Sequence, residues 1–200
     1  DNLEDKSSAL HIEAGLKMSF LSGLIDVSGS AKYLDDRTSS SHQERVTLQY
    51  KCTTKFESLS MTHLGKGNCQ HPDIFDRDIA THVVTGILYG GQAFFVFDKE
   101  HSHSFSDRKV DGNLHAMIKK VPSFSIEGDA PIKIDEKEKK EVESLNVKFY
   151  GDCKPDKNPI TYKDAILLYH KLPELLGKDD GVPIQVWLYP LEHLDSKSTK

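Results

Sequence analysis

The 200-residue sequence is poor in cysteine, the residue from which disulfide frameworks are built. Its three cysteines, Cys52, Cys69 and Cys153, are odd in number and lack the spacing of a metal site, so reduced thiols and no bound metal are predicted. No secretory signal is recognisable, and the densest apolar stretch, the fifteen residues from Val83 to Phe97, is shorter than the roughly 20 residues that a transmembrane helix needs. The net charge is −5, so no nucleic-acid partner is expected.

Sequence patterns typical of enzymes are also missing. The acidic residues lie mostly in charge runs typical of solvated faces, and neither a nucleophile elbow nor a convincing catalytic triad is present. We therefore expect a protein that is not an enzyme and uses no cofactor. The composition, 37 % hydrophobic and 28 % charged, is that of an ordinary globular protein, which predicts a single domain over residues 1–200.

The longest apolar run, at residues 79–98 (IATHVVTGILYGGQAFFVFD), organises the rest of the chain. It is rich in β-branched and aromatic residues, and its apolar side chains fall on both faces of a strand. This pattern predicts a central strand that is covered on both sides. Gly90 and Gly91 interrupt the run. Two adjacent glycines weaken a strand, and they suit a position where the sheet bends or another backbone approaches closely.

Two further stretches alternate between apolar and polar residues, which is the signal of two-faced strands. The first has apolar residues at Leu10, Ile12, Ala14, Leu16, Met18 and Phe20, and then at Ile25, Val27, Gly29, Ala31 and Tyr33. Several of these positions also fit a helical stripe, so this stretch supports either state. The second has Val110, Gly112, Leu114, Ala116 and Ile118 on one face, and a further run that begins with Phe124 and Ile126.

The other elements follow from local signals. Strands are predicted around 46–56, 147–150 and 184–189, a helical turn around 73–77, a solvated helix over 135–144 and a polar loop over 34–43. The clearest helix spans 161–176, with Thr161 as N-cap and Asp164 in the capping-box position. Pro173 is expected to break or kink its last turn.

Within the central run, Thr81, His82, six further residues after position 83, and then Gly90 and Gly91 follow the spacing of a family signature. That signature is an aromatic residue, glycine, threonine or serine, histidine, an aromatic residue, six residues and Gly-Gly; its first, second and fifth positions differ here. The sequence thereby resembles the membrane-attack-complex/perforin and cholesterol-dependent cytolysin (MACPF/CDC) superfamily. The phrases RVTLQYK, IKKVPSFSIEG and VPIQVWLYPL also look like the stonustoxin and neoverrucotoxin group of fish pore-forming toxins, over nearly all of the sequence.

The resemblance implies an α+β fold in which two clusters of helices flank a bent antiparallel sheet. On a membrane, each cluster would unfold into a transmembrane β-hairpin. The insertion segments would span about 9–36 and 104–145, and the family's first strand would precede Asp1. Residues expected to enter the membrane are Leu10, Ile12, Ala14, Leu16, Met18, Phe20, Ile25, Val27, Val110, Leu114, Ala116, Ile118, Phe124 and Ile126.

The resemblance also assigns roles to the signature residues. Gly90 and Gly91 would form the bending point of the sheet, and the alternative is a β-bulge with no further role. Thr81 and His82 occupy signature positions, and His82 is expected to be buried and hydrogen-bonded rather than chemically active.

The implied function is to bind a lipid bilayer, oligomerise and form a transmembrane pore. The assembly would be a homo-oligomer or a hetero-oligomer with a homologous subunit. The soluble protein, secreted or cytosolic, would assemble on a target-cell membrane. Two other functions stay open: a non-lytic scaffold or adhesion module, and an intracellular interaction module that keeps only the fold. The last is favoured by the absent signal and by free cysteines.

Overall fold

A computed structural model describes residues 3–10, 29–36, 43–60, 68, 70–75, 77, 80–100, 111–124, 134, 136–177 and 181–194. The helices are α1 (Leu3–Ala9), α2 (Asp111–Lys119), α3 (Glu136–Val142) and α4 (Tyr162–Gly177). The strands are β1 (Gln43–Ser58), β2 (His82–Glu100), β3 (Leu145–Gly151) and β4 (Val182–Pro190). Short 3-10 helices span Gly29–Asp35, Pro72–Phe75, Val121–Ser123 and Leu191–His193. The α+β class is therefore confirmed.

Strand β2 is the centre of the sheet, as the apolar run at 79–98 predicted. It lies between β1 and β3, and it also pairs with β4. Residues 93–99 of β2 pair antiparallel with β3, whereas residues 82–90 pair antiparallel with β4. The register with β4 shifts between Val84 and Gly86 and again between Leu88 and Tyr89, as at β-bulges.

The chain divides into two compact units. The first contains residues 1–52 and 92–176, and the second contains residues 53–91 and 177–200. The divisions fall within β1 after Cys52, within β2 after Gly91, and at the end of α4 after Leu176. The single-domain organisation over residues 1–200 stays a prediction.

The first unit has apolar clusters on both faces of its part of the sheet. One cluster joins β2 and β3 to α2 and α4 through Ala93, Phe95, Phe97, Leu145, Val147, Leu114, Met117, Ile118, Ile166 and Leu172. On the other face Tyr33 packs with Phe94 and Val96, and the ring centroids of Tyr33 and Phe94 are 4.5 Å apart. Successive strand residues point to opposite faces, so this half of β2 is covered on both sides as predicted.

The second unit leaves more of its sheet open, and there the prediction of a strand covered on both faces is wrong. Val84 of β2 is 41 % exposed, and Val186, Trp187 and Leu188 of β4 are exposed as well. The helices described in this unit are only the short 3-10 helices Pro72–Phe75 and Leu191–His193 together with the last residue of α4. Apolar sequence alone does not reveal whether a second layer is available to cover a strand.

The local predictions are largely confirmed, with two corrections. Helix α3 and strands β1, β3 and β4 lie where the sequence placed them, and the turn predicted around 73–77 is the 3-10 helix Pro72–Phe75. The polar loop predicted over 34–43 is wrong at its start, because Leu34 and Asp36 are buried. Pro173 lies inside α4 without ending it, so the predicted break is wrong, whereas a kink stays a prediction. Leu172 and Leu176, buried on either side of the proline, hold the last turn against the core.

The predicted capping box at the start of α4 is confirmed. The backbone N–H of Asp164 donates to Oγ1 of Thr161 at 3.1 Å, and the backbone N–H of Thr161 donates to Oδ2 of Asp164 at 3.1 Å. These bonds satisfy backbone donors that have no partner within the helix. They fix the position at which the helix begins.

Replacing Thr161 by alanine is expected to lower the free energy of unfolding by about 0.5–2 kcal/mol, because the N–H of Asp164 loses its acceptor. Urea denaturation measures the change. Thr161→Ser is the matched control and should stay close to the wild type, since it retains the hydroxyl. Equal destabilisation by both substitutions would show that the hydroxyl is not the cause.

Candidate functional site

The signature residue His82 is the first residue of β2, Thr81 directly precedes it, and both are exposed. Oγ1 of Thr81 is 2.9 Å from Nδ1 of His82, and the carbonyl oxygen of Thr81 accepts a hydrogen bond from the N–H of Leu191 at 2.9 Å. The expectation of a hydrogen-bonded His82 is confirmed, but the expectation of burial is wrong. His82 pairs with Pro190 at the ends of both strands, and this position leaves its ring accessible.

Gly90 and Gly91 are buried within β2, and another backbone approaches Gly90 closely, one of the two situations that the sequence suggested. The neighbour is Gly181, which has φ +80°. A Cβ atom at Gly181 would lie 2.8 Å from the carbonyl carbon and 2.9 Å from Cα of Gly90. Both the left-handed backbone and the contact therefore require glycine at position 181. Bending at Gly90 and Gly91 stays a prediction.

The first predicted insertion segment, about 9–36, is described at its two ends. Leu10 packs half-buried against the cluster of Tyr33, Phe94 and Val96. The alternation placed Tyr33 in a strand, but Tyr33 belongs to the 3-10 helix Gly29–Asp35, so the strand prediction is wrong for these residues. The positions that lie outside the described residues are Ile12, Ala14, Leu16, Met18, Phe20, Ile25 and Val27.

A cluster of charged side chains joins the end of this segment, at Asp36, to the sheet and to Lys6 of α1; we call it the ion cluster. Arg45 of β1 donates to both carboxylate oxygens of Asp98 of β2, from Nε at 2.5 Å and from Nη2 at 2.9 Å. Nη1 of Arg45 lies 3.3 Å from Oδ2 of Asp36. Nζ of Lys148 lies 3.5 Å from Asp36 and 3.6 Å from Asp98, and Lys6 donates to the carbonyl oxygen of Asp36.

The ion cluster was not predicted from the sequence. The carboxylate of Asp36 is only 2 % exposed, so it depends on its cationic partners for stability. A signal was present in part, because Arg45 and Asp98 are charged residues near the ends of their strands, β1 and β2. Their pairing joins residues that are distant along the chain, and the spacing of residues in the sequence does not reveal it.

Burial and the ion cluster change the ionisation of the groups around them. Burial lowers the pKa of Lys6, although the negative charge of Asp36 opposes the change. Burial alone would lower the pKa of Arg45, but its hydrogen bonds to Asp98 raise it above the ordinary value. Burial and the neighbouring Asp36 raise the pKa of Tyr150 to about 12. The cluster therefore holds Arg45 charged and Tyr150 neutral.

The pKa of Tyr150 predicts a loss of stability in alkali. Above the ordinary pKa of 10.0 the unfolded chain releases the phenol proton, whereas the folded chain retains it up to about 12. The unfolded state then binds fewer protons, so the free energy of unfolding falls as the pH rises through this window. Tyr150→Phe should make the free energy of unfolding decrease less steeply between pH 10.0 and about 12. Urea denaturation midpoints measured in this pH range and at neutral pH test the prediction. An unchanged slope would contradict this assignment.

The second predicted insertion segment, about 104–145, contains α2, and the helix corrects the strand pattern. The alternation placed Leu114, Ala116 and Ile118 on one face, but in the helix Leu114 and Ile118 are buried while Ala116 is exposed. Met117, which interrupts the polar face of the alternation, is buried as well. Leu114, Met117 and Ile118 follow the i, i+3, i+4 spacing of one helical face. Val110 lies outside the described residues.

Helix α2 is fixed to the sheet layer through α4. The hydroxyl of Tyr162 donates to the carbonyl oxygen of Met117 at 2.9 Å, inside the core. Phe124, another predicted insertion residue, follows the 3-10 helix Val121–Ser123 and is half-buried, with its ring centroid 6.4 Å from that of Tyr162. Ile126 is outside the part of the chain that the structure describes. Insertion of this segment would require these contacts to break.

Neither a metal site nor a membrane-spanning helix is found among the described residues. No group of three potential metal ligands occurs there, and Cys52 and Cys153 are free thiols. Burial raises the pKa of Cys153, which makes its thiol less reactive. No described helix is long and apolar enough to cross a membrane.

Comparison with known proteins identifies relatives of this arrangement, although no protein-family model matches the chain. Verrucotoxin subunit beta from Synanceia verrucosa is 45 % identical over 198 residues, and cytolytic toxin-alpha from Scorpaena plumieri is 46 % identical over 200 residues. The chain is homologous to these toxins. Each alignment covers 99 % of this chain and 28 % of the relative, so the chain spans little more than a quarter of their length.

A solved structure of stonustoxin has the same fold. It is 38 % identical and superposes with a TM-score of 0.67, covering 94 % of this chain and 24 % of the stonustoxin chain. The resemblance to the stonustoxin group is confirmed. The relatives are toxins and toxin subunits rather than enzymes, in agreement with the expectation from the sequence.

Proposed function

We propose that this chain is the membrane-inserting part of a cytolytic, pore-forming protein of the MACPF/CDC type. The observation that carries the proposal is the double character of α2. Its residues form a helix packed on the sheet, yet their sequence alternates as a two-faced strand would. Homology to a protein named as a cytolytic toxin supports the same conclusion.

The predicted insertion segments have suitable dimensions for strands that cross a bilayer. The alternating run from Leu10 to Phe20 is eleven residues long. As a strand it would extend about 36 Å, and a tilt of about 45° would reduce its height to about 25 Å, that of the apolar band of a membrane barrel. The apolar face would gain roughly 1.5–3 kcal/mol for each large side chain transferred from water to lipid.

The backbone of such strands requires an oligomer. Unpaired N–H and C=O groups at an open sheet edge cost several kcal/mol each in hydrocarbon, so only a closed barrel is stable. Two hairpins from one chain cannot close a wide barrel. The partners are therefore a lipid bilayer and further copies of the chain or a homologous subunit, and one relative is named as a subunit. The soluble form would precede assembly on the target-cell membrane.

Insertion would require both segments to leave the sheet. The first would lose the contacts of Leu10 and the ion cluster, and the second would lose the burial of Leu114 and Ile118. Gly90 and Gly91 would allow β2 to bend at the same time. The close approach of Gly181 to the backbone of Gly90 is a structural feature of this part of β2 that does not depend on bending.

Liposome flotation and dye release with the intact protein test the proposal. We expect the protein to float with the vesicles and release dye, with a leakage rate that rises more steeply than linearly with protein concentration because several chains build one barrel. Flotation without leakage would overturn pore formation and favour a scaffold or adhesion module. Neither flotation nor leakage across several lipid compositions would favour an intracellular interaction module.

A further inference from the structure

Gln92 directly follows the Gly90 and Gly91 pair and is hydrogen-bonded through both its backbone and its side chain. The residue is 7 % exposed. Its backbone N–H donates to Oδ2 of Asp152 at 2.8 Å, and its carbonyl oxygen accepts a hydrogen bond from the N–H of Asp152 at 3.0 Å. Its side-chain Oε1 accepts a hydrogen bond from Nε2 of Gln49 at 3.0 Å. Buried polar groups need such partners, so these bonds define the orientation of Gln92.

The carboxylate of Asp152 also binds one end of the first predicted insertion segment. Oδ1 of Asp152 accepts a hydrogen bond from the backbone N–H of Ser30 at 2.8 Å. The preceding Gly29 has φ +57°, and a Cβ atom there would lie 2.5 Å from the same oxygen. Glycine is therefore required for the carboxylate to approach the chain here. A single carboxylate joins Gln92 to Ser30 with two charge-assisted bonds.

The side-chain amide of Gln49 also binds the other end of the same segment. Nε2 of Gln49 donates to Oε1 of Gln92 and also to the carbonyl oxygen of Ala9 at 3.1 Å. Ala9 is the last residue of α1, and Leu10 follows it. The amide of Gln49 thus joins Gln92 to the beginning of the segment, as Asp152 joins Gln92 to its end.

We infer that Gln92 is a positioning residue that connects bending at Gly90 and Gly91 to release of both ends of the first insertion segment. This inference rests on the proposed function. The two connections are the Asp152 branch, which reaches Ser30, and the Gln49 branch, which reaches Ala9. Together they place Gln92 two hydrogen bonds away from each end.

The geometry of the peptide bond explains how bending reaches these branches. The N–H of Gln92 belongs to the planar peptide unit that it shares with Gly91, so a rotation about ψ of Gly91 turns this N–H directly. Hydrogen bonds weaken steeply when they become misaligned, and the bond to Asp152 would be the first affected. Glycine at position 91 gives this rotation more freedom than any other residue would.

Amide hydrogen exchange of the intact protein, followed by NMR without lipid, tests the two branches separately. Asp152→Asn keeps one carbonyl oxygen and loses the charge, so exchange of the Ser30 amide should become about tenfold faster or more. Gln92→Leu removes Oε1 but keeps the backbone N–H. It should therefore accelerate exchange at Leu10 by about threefold or more and leave Ser30 unchanged.

Coupling to the glycine pair is tested by Gly91→Ala, which restricts rotation at that position. In an otherwise wild-type chain, this substitution should slow hydrogen exchange of the Ser30 amide. In a chain that also carries Asp152→Asn, it should leave exchange of the Ser30 amide unchanged. Additive effects would show that Asp152 is merely structural and would overturn the inference. If Gly91→Ala fails to fold, the inference is tested by Asp152→Asn and Gln92→Leu alone. Faster exchange at all amides in either of these two variants would contradict the inference.

These readouts separate the inference from the proposed function. Hydrogen exchange is measured in solution, without a membrane. Branch-specific changes in exchange without dye release would therefore support the two connections of Gln92 and contradict pore formation. The opposite result is dye release by the intact protein together with unchanged exchange of the Ser30 amide in Asp152→Asn. This result would support pore formation and contradict the role of Gln92.

Discussion

Replacing Ala116 by arginine is expected to reduce dye release by more than tenfold while leaving the soluble protein folded. Ala116 is exposed on α2, where a surface substitution changes stability by about 0.5 kcal/mol or less. In an inserted strand the same residue would share the lipid-facing side with Leu114 and Ile118. Arginine near the middle of a bilayer costs about 2–4 kcal/mol per chain, and every chain of the ring would carry that cost.

His115 supplies the matched control for this prediction. It is the neighbour of Ala116 in α2 and is also exposed, but in an inserted strand it would face the aqueous interior of the barrel. His115→Arg should therefore retain nearly all of the dye release, with the same thermal stability as Ala116→Arg. Equal loss of leakage in the two variants, or full leakage by Ala116→Arg, would contradict strand insertion of this stretch.

Ala116 is the suitable position for this arginine substitution, because the neighbouring residues of the apolar strand face are buried in the folded chain. Leu114 is 2 % exposed and belongs to the core of the soluble protein. A charge there would destabilise the folded chain before any membrane is reached, since a buried unpaired charge is strongly unfavourable. Loss of leakage by such a variant would say nothing about insertion. Ala116 separates the two effects because it is exposed before insertion.

Replacing Arg45 by alanine is expected to lower the free energy of unfolding by about 3–5 kcal/mol, because it leaves two buried carboxylates without their main partner. These are Asp36 and Asp98, whose side chains are 2 % and 6 % exposed. Two other cations of the cluster remain. Lys148 lies 3.5 Å from Asp36 and 3.6 Å from Asp98, and Lys6 donates to the backbone carbonyl oxygen of Asp36. Urea denaturation at neutral pH measures the change.

An exposed ion pair on the same strand provides the control for Arg45. Nζ of Lys55 lies 2.8 Å from Oε1 of Glu57, and both side chains are largely exposed. Lys55→Ala should cost about 1 kcal/mol or less, as is usual for surface pairs. If Arg45→Ala proved no more destabilising than Lys55→Ala, the ion cluster would not be a stabilising attachment of the first segment.

The parts of the fold that the sequence predicted correctly depend on neighbours along the chain. The capping box of Thr161 and Asp164 is a contact over three residues, and β2 was predicted from the longest apolar run of the sequence. The signal for close backbone approach at Gly90 was also local, since two glycines inside a strand need a reason. Homology to toxins of the predicted group agrees with the family assignment.

The parts that could not be predicted depend on distant residues or on competing periods. Asp36 looked like part of a polar loop because nothing local reveals that Arg45 and Lys148 converge on it. In α2 the period-two pattern and the helical pattern coexist, and packing against the sheet selects the helix. Met117 was the residue that favoured the helix, because it places an apolar side chain on the polar face of the strand.

Fluorescence at adjacent positions of α2 tests whether this stretch inserts into a membrane as a strand. An environment-sensitive fluorophore would be placed on single cysteines at 115 and 116, in a background without the native cysteines, and read with and without liposomes. We expect a strong blue shift at position 116 and almost none at position 115, because only the fluorophore at 116 would move from water into lipid. Equal changes at both positions, or no change at either on well-folded protein that floats with the vesicles, would contradict strand insertion.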